Sequence, residues 1–229
     1  MSIFASQQRI RILKVLVGSH AHGLARPESD QDFRSVFILP TEAFFHLDFK
    51  YPTMSWRHNT GDETAWEIAQ FLSLALQCHP LILETFLAPV IVATQWGMEL
   101  RRLFPAVWSP EKAYTSFLGY AVNQRTKFLE KKDGRPAKYA IAYLRVLANL
   151  CELLERRTFT IRIRETSLGD TLARIQAGAY RPGEVIDLGE DLTLKATALL
   201  PHCTHSPDRD AVDAFLVRVR RAFLDPPAP

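Results

Sequence analysis

Apolar positions change their spacing near residue 105, which divides the chain into two textures. Before that point, short β-favouring runs alternate with turn-rich breaks. Residues 11–17, RILKVLV, stop at Gly18-Ser19, and residues 32–39, DFRSVFIL, stop at Pro40. The intervening SHAHGLARPESDQ is rich in small, turn-prone and capping residues, predicting a strand, a Gly-Ser turn, a short helical turn and a second strand. Residues 41–60 hold aromatics and Pro52 without a period, and read as a loop with a strand near 53–57. Asp62 precedes AWEIAQFLSLALQ, in which Ile68, Phe71, Leu72, Ala75 and Leu76 recur at helical spacing. His79-Pro80 closes that helix, because the residue before proline avoids helical angles. LILETFLAP is apolar, and VIVAT predicts the last strand of this half.

Beyond Pro105 the pattern is helical. Residues 111–131 and 136–156 read as helices joined by the turn Asp133-Gly134-Arg135-Pro136. TFTIRI reads as extended, and SLGDTLARIQAG, 181–200 and 207–224 as further helices, ending in a frayed DPPAP tail. The expected organisation is an α/β (α+β) half over residues 1–105 and a helical half over 106–229.

Composition narrows the class only a little. With 229 residues, 47% of them apolar and 23% charged, the chain suits an ordinary folded protein with one large core or two small ones. Cys78, Cys151 and Cys203 lack metal-ligand or redox spacing and fit a reducing compartment. The first residues do not read as a secretory signal, and no apolar stretch spans a bilayer. A cytoplasmic protein with no membrane partner is expected. The net charge of +3 is slight, so partners must be argued from local features.

The candidate chemistry lies in one short segment. Alternate residues of a strand share a face, so Asp32 and Arg34 point the same way, joined by Asp30 if the strand begins there. Converging carboxylates repel unless a cation lies between them. A pair of Mg²⁺ ions about 3.5–4 Å apart relieves that repulsion in two-metal sites. Mg²⁺ suits such hard oxygen ligands, with triphosphate oxygens completing its shell. Gly18 lets backbone approach a phosphate, and amides at the following helical turn attract anions. The Ser19 hydroxyl is placed to donate to a β- or γ-phosphate oxygen, and Gly23 permits the bend back into the sheet. Alone, a Gly-Ser pair is usually a turn and a D-x-D a solvated cap. In this order and spacing the two together point to triphosphate and metal.

The segment GSHAHGLARPESDQDFRSVFI closely resembles the G-S-x-x-x-G … S-D-x-D-x-R signature of DNA polymerase β superfamily nucleotidyltransferases. More narrowly, it resembles the nucleotidyltransferases associated with RNA ligases in bacteria and phages. Gly23-Leu24-Ala25 and Pro27-Glu28-Ser29-Asp30 match that group, as do Asp62, Glu67-Ile68-Ala69-Gln70-Phe71, Pro80 and Leu83-Glu84. Gly119-Tyr120-Ala121, Gln124, Lys138 and Arg145 echo its helical half. The resemblance implies a polymerase-β-like core with a small mixed sheet, followed by a helical domain. It also implies a third carboxylate on a neighbouring strand: Asp62 first, Glu67 as the alternate, Glu63 after both. That acid would bridge metal or act as general base. Ser35 departs from the family's usual glycine, and Gln70 and Ala142 from its frequent lysine and histidine.

Other residues keep two readings. Arg34 neutralises triphosphate, or pairs with Asp30 or Asp32. Lys138 and Arg145, two helical turns apart, share a face; they reach the nucleotide or form a solvated stripe. His20 and His22 suit local hydrogen bonds better than zinc, for which no further ligand has the spacing. Residues Lys127–Lys132, Arg156, Arg157, Arg162 and Arg164 follow an RNA backbone, or belong to solvated surfaces shared with Glu130, Glu152, Glu155 and Glu165. The expected activity is Mg²⁺- (or Mn²⁺-) dependent transfer of an NMP from an NTP such as ATP to a hydroxyl. The resemblance implies an RNA end as acceptor. The alternatives are transfer to a protein side chain or small molecule, and a catalytically silent nucleotide- or RNA-binding module.

Overall fold

The first alternating run forms strand β1 (Ile10–Val17), which buries Ile12, Leu13, Val15 and Val17. The computed structural model describes residues 9–51, 55–58 and 61–224, and side chains are described for all of these except 55–58, Gly61 and Asp62. A single helical turn, α1 (Gly18–His22), leads by a loop into β2 (Asp32–Ile38), antiparallel to β1 with Val17 opposite Asp32. Strands β3 (Ser55–His58) and β4 (Gly61–Glu67) pair antiparallel, and β4 runs parallel to β2. Helices α2 (Ile68–Leu76) and α3 (Pro80–Leu87), strand β5 (Val90–Ala93) and helix α4 (Gln95–Arg102) follow. The sheet is mixed, in the order β3-β4-β2-β1-β5. Helices α5 (Pro110–Leu129), α6 (Pro136–Arg156), α7 (Gly169–Gln176), α8 (Pro182–Leu199) and α9 (Arg209–Ala222) complete the fold. A mixed α/β half followed by a helical half is thus the architecture.

The main departure from the expected elements is β4. The helix expected straight after Asp62 begins only at Ile68, because residues 61–67 pair as a strand between β2 and β3. Trp66 enters the main apolar cluster while Ala65 packs on the opposite face with Phe37 and Leu39. A segment buried on both faces and carrying Thr and Trp is a central strand. LILETFLAP becomes α3, with Pro80 in its first turn, where the missing N–H costs nothing. Helix α4 was not expected; Thr94 caps it by accepting from Gly97 N at 3.3 Å. TFTIRI is coil leading to a 3-10 turn at Ile163–Glu165, since only Phe159 and Ile163 of that stretch are buried. The strand expected near 53–57 appears at Ser55–His58; residues 52–54 and the DPPAP tail lie outside the described residues. Among the described residues no helix is long and apolar enough to cross a membrane.

One apolar core runs across residue 105, joining Val36 and Phe71 to Leu144 and Phe215. Helix α9 returns to the first half. Arg220 pairs with buried Glu67 at 2.8 Å, its guanidinium lies 4.1 Å from the Phe44 ring centre, and Thr41 Oγ1 donates to the Arg220 carbonyl. Phe215, 2% exposed, packs 6.2 Å from Trp96 on α4. Phe215→Ala is therefore expected to cost about 3–5 kcal/mol and to lower one common transition in urea unfolding. Two transitions, with the first-half one unmoved, would show that the halves unfold independently.

Candidate active site

Strand β1 delivers the chain to Gly18, where φ is +68°. Two facts make this position glycine. The left-handed conformation disfavours any side chain, and a Cβ there would overlap Asp32 Oδ2 and lie 3.2 Å from its Cγ. The Asp32 carboxylate thus lies directly against the Gly18 backbone, the contact that the Val17–Asp32 register imposes. Helix α1 has no side-chain N-cap, so its first amides are not taken up by a capping side chain. The half-buried Ser19 stands at that end. Gly23 closes α1 in the left-handed region, and a Cβ there would meet Arg164 Cβ at 2.9 Å. The loop then turns back on itself, with Arg26 N donating to Ser29 Oγ at 2.8 Å and His20 Nε2 lying 2.9 Å from the Ser29 carbonyl.

Asp30 is exposed in the coil just ahead of β2, which begins at Asp32. In the parallel ladder Phe33 is opposite Glu63, so Asp32, the first residue of β2, and Asp62, the second of β4, lie side by side along the backbone. The Asp62 side chain lies outside the described residues. Among the side chains that are described, no three potential metal ligands come together.

The other expected acids are elsewhere. Glu63 lies on the opposite face of the sheet, buried, accepting from Ser35 Oγ at 2.5 Å and paired with Arg11 and Lys14 at 3.1 and 3.2 Å. Burial would raise its pKa, but Ser35, Lys14 and Arg11 outweigh it and lower it below the usual carboxylate value. Ser35, the departure from the family's glycine, has its explanation in this bond. Glu67 is fully buried at the far end of β4, where it accepts from Ala69 N at the start of α2 and holds Arg220. It is not brought to the Gly18–Asp32 corner.

Beneath α1 lies a buried charge network that spacing along the chain does not reveal. Glu84 on α3, 1% exposed, contacts His22 Nε2 at 2.5 Å, Arg34 at 2.8 Å and Arg145 at 3.0 Å. Arg34 also donates to the Leu81 carbonyl at 2.7 Å. Arg34 therefore binds α3, rather than Asp30 or Asp32. Arg145 joins the helical half to α3, while Lys138, two turns earlier on α6, stays exposed. Burial pushes Glu84 upward, yet Arg145, Arg34 and His22 together hold it well below the usual carboxylate range. Burial, with Arg145 next, lowers the His22 pKa below the ordinary histidine value. A lone Glu inside the apolar run LILETFL is the signal that could have exposed the network, since a buried acid needs cations around it.

A family model described as RNA repair pathway DNA polymerase beta family matches residues 1–178. The chain is 23% identical over 142 residues to the uncharacterized protein YcgL of Bacillus subtilis, covering 61% of this chain and 54% of that protein. It is 25% identical over 134 residues to an uncharacterized 38.9 kDa protein from the nrdC-mobD intergenic region of Enterobacteria phage T4, covering 51% and 38% respectively. It thus spans about half or less of the length of these curated relatives. A crystal structure of a nucleotidyltransferase-like protein from Exiguobacterium sibiricum aligns over 93% of this chain and 74% of that one, at 12% identity and a TM-score of 0.32.

Two outcomes follow from this geometry. Gly18→Ala adds a methyl against Asp32 in a left-handed backbone, and is expected to cost at least about 1 kcal/mol of stability and to displace the carboxylate; unchanged urea stability would refute the packing. Glu84→Gln leaves buried Arg145 and part-buried Arg34 without their acid, an expected loss of about 3–5 kcal/mol at pH 7. Both network pKa values are lowered on folding, so the unfolded chain binds more protons and stability falls as pH drops. The loss begins below 6.5, the ordinary histidine value, and steepens below 4.5, the ordinary glutamate value. Thermal melts from pH 8 to 3 should show both stages in the wild type and a weakened second stage in Glu84→Gln.

Proposed function

Because the chain belongs to the RNA repair pathway DNA polymerase beta family, we propose that it moves an NMP from an NTP to a hydroxyl, with an RNA end as the acceptor. The observation that carries this reading is the corner where Asp32 packs against Gly18 and stands beside Asp62 at the head of the paired strands. Phosphate-binding backbone and acidic side chains meet there, as transfer from a triphosphate requires.

The residues present fit a hard divalent ion. Asp32 is half-buried against backbone and Asp30 exposed beside it, and both offer carboxylate oxygens, the donors Mg²⁺ or Mn²⁺ prefers. Asp30 and Asp32, with Asp62, would hold the metal, which when bound supplies positive charge against the triphosphate. Gly18 and Ser19 bind the outer phosphates through the α1 amides and the hydroxyl. Lys138 approaches the nucleotide from α6. Arg34 acts one step back: through Glu84 it fixes the strand that carries Asp32. In the reaction the acceptor oxygen bonds to the α-phosphorus, the bridge to the β-phosphate breaks, and pyrophosphate leaves. The hydroxyl proton passes to a carboxylate, for which Asp62 is the choice, and then to solvent.

The test is incubation of the full chain with α-labelled NTPs, Mg²⁺ and mixed cellular RNA, followed by separation of RNA from protein. Label should enter RNA, and Asp30→Asn with Asp32→Asn should reduce it by at least about 10³-fold, the scale of lost electrostatic stabilisation. Unchanged transfer in the double variant would overturn the site assignment. Label in protein would move the acceptor to a side chain, and nucleotide binding without pyrophosphate release would make this a silent module.

A further inference from the structure

The turn between α5 and α6 concentrates the protein's positive charge. Residues 125–138 hold Arg125, Lys127, Lys131, Lys132, Arg135 and Lys138 against Glu130 and Asp133, which exceeds the whole chain's +3. Lys131, Lys132, Arg135 and Lys138 are exposed. Lys131 and Asp133 take the left-handed conformation, with φ of 51° and 54°, which non-glycine residues seldom adopt. This tight turn puts Lys131 and Lys132 at the apex. Asp133 is engaged by the Tyr139 hydroxyl at 2.9 Å and by Arg135.

This apex is linked to the catalytic loop. Phe128, just before it, lies 6.0 Å ring to ring from Tyr180, which follows α7. At the end of α7, Gln176 Nε2 donates to the Leu24 carbonyl at 2.6 Å, and Arg26 donates to the Gln176 carbonyl. Both contacts fall on the loop that leads to Asp30. Between α7 and α8 there is a cavity of about 180 Å³, lined by residues including Arg174, Ile175, Ala179, Tyr180, Glu184 and Leu188. Arg174 and Glu184 lie 4.0 Å apart in its wall. An aromatic ring, apolar sides and a donor–acceptor pair, joined through the Phe128–Tyr180 contact to the turn that carries the cations, suit an unstacked base on a polyanionic backbone.

We propose that this surface holds single-stranded RNA, its phosphates on Lys131, Lys132 and Arg135 and one unpaired base in the α7–α8 cavity. The inference rests on the reading of RNA as acceptor, and adds where the strand is held. A duplex is disfavoured, because its bases are stacked and paired.

Binding of a short fluorescein-labelled single-stranded RNA to the full chain, measured by anisotropy in EDTA without NTP, tests the surface apart from the reaction. K131E with K132E is expected to weaken binding at least tenfold and to flatten the dependence of log K on log salt by about 1.4. Ala179→Trp fills the cavity from an exposed position, and should weaken RNA binding about tenfold while leaving an abasic oligomer unaffected. Unchanged RNA affinity in either variant, equal affinity for a blunt duplex, or no RNA binding by the wild type would overturn the proposal. Binding that behaves as expected in a protein that transfers nothing would support this surface and remove the catalytic reading.

Discussion

Everything near the candidate site is arranged around one buried carboxylate. Glu84 receives cations from β2 and α6 and an imidazole from α1, three elements distant in sequence. An ionised acid in an apolar interior is costly unless its oxygens are saturated, and here that condition is met only when the three elements are in place. Apolar packing alone tolerates small slides between helices and sheet. A carboxylate shared by two guanidinium groups does not, because each has a narrow range of productive geometry. The network thus sets both the height of α6 against the sheet and the seating of the turn that begins with Gly18.

The sheet supplies the second constraint. In a parallel pair a one-residue slip turns every side chain to the other face. The ladder from Phe33–Glu63 to Phe37–Glu67 keeps Glu63 among Arg11, Lys14 and Ser35, and so keeps Asp62 level with Asp32. A slip would carry residue 62 to where Glu63 now finds its cations and leave Glu63 at the candidate site. The ion cluster of Glu63 with Arg11, Lys14 and Ser35 therefore supports the register that sets the backbone of residue 62 level with Asp32.

Much of the candidate site was legible because it is local. Gly18, Ser19, Asp30 and Asp32 fall in one short segment whose order suggests phosphate and metal, and the structure packs Gly18 on Asp32. Helices α5 and α6 were legible from long apolar periods and the Asp133-Gly134 turn. What stayed hidden depends on partners far along the chain. Glu84 finds His22 across 62 residues and Arg145 across 61, so nothing beside it shows that it is a hub. The same distance effect turned Arg34, read either as neutralising triphosphate or as pairing with Asp30 or Asp32, toward an acid on another element. Strand β4 was masked by the stronger helical period of Ile68–Leu76, because a strand buried on both faces has no polar side to mark its alternation. Only resemblance pointed to Asp62, and its side chain lies outside the described residues.

The return of α9 to the first half also sets an order of events in synthesis. Glu67 precedes its partner Arg220 by 153 residues. At translation rates of about 5–20 residues per second, the acid waits on the order of 8–30 s for its cation. During that time a carboxylate destined for complete burial stays better solvated outside the core, so the β4–α2 junction resists closing early. Strand β4, which carries Asp62 near its start, is thus secured at its far end only after α9 has emerged. Closure of the β4–α2 junction therefore awaits the synthesis of α9, although the junction's own acid precedes its cation by 153 residues.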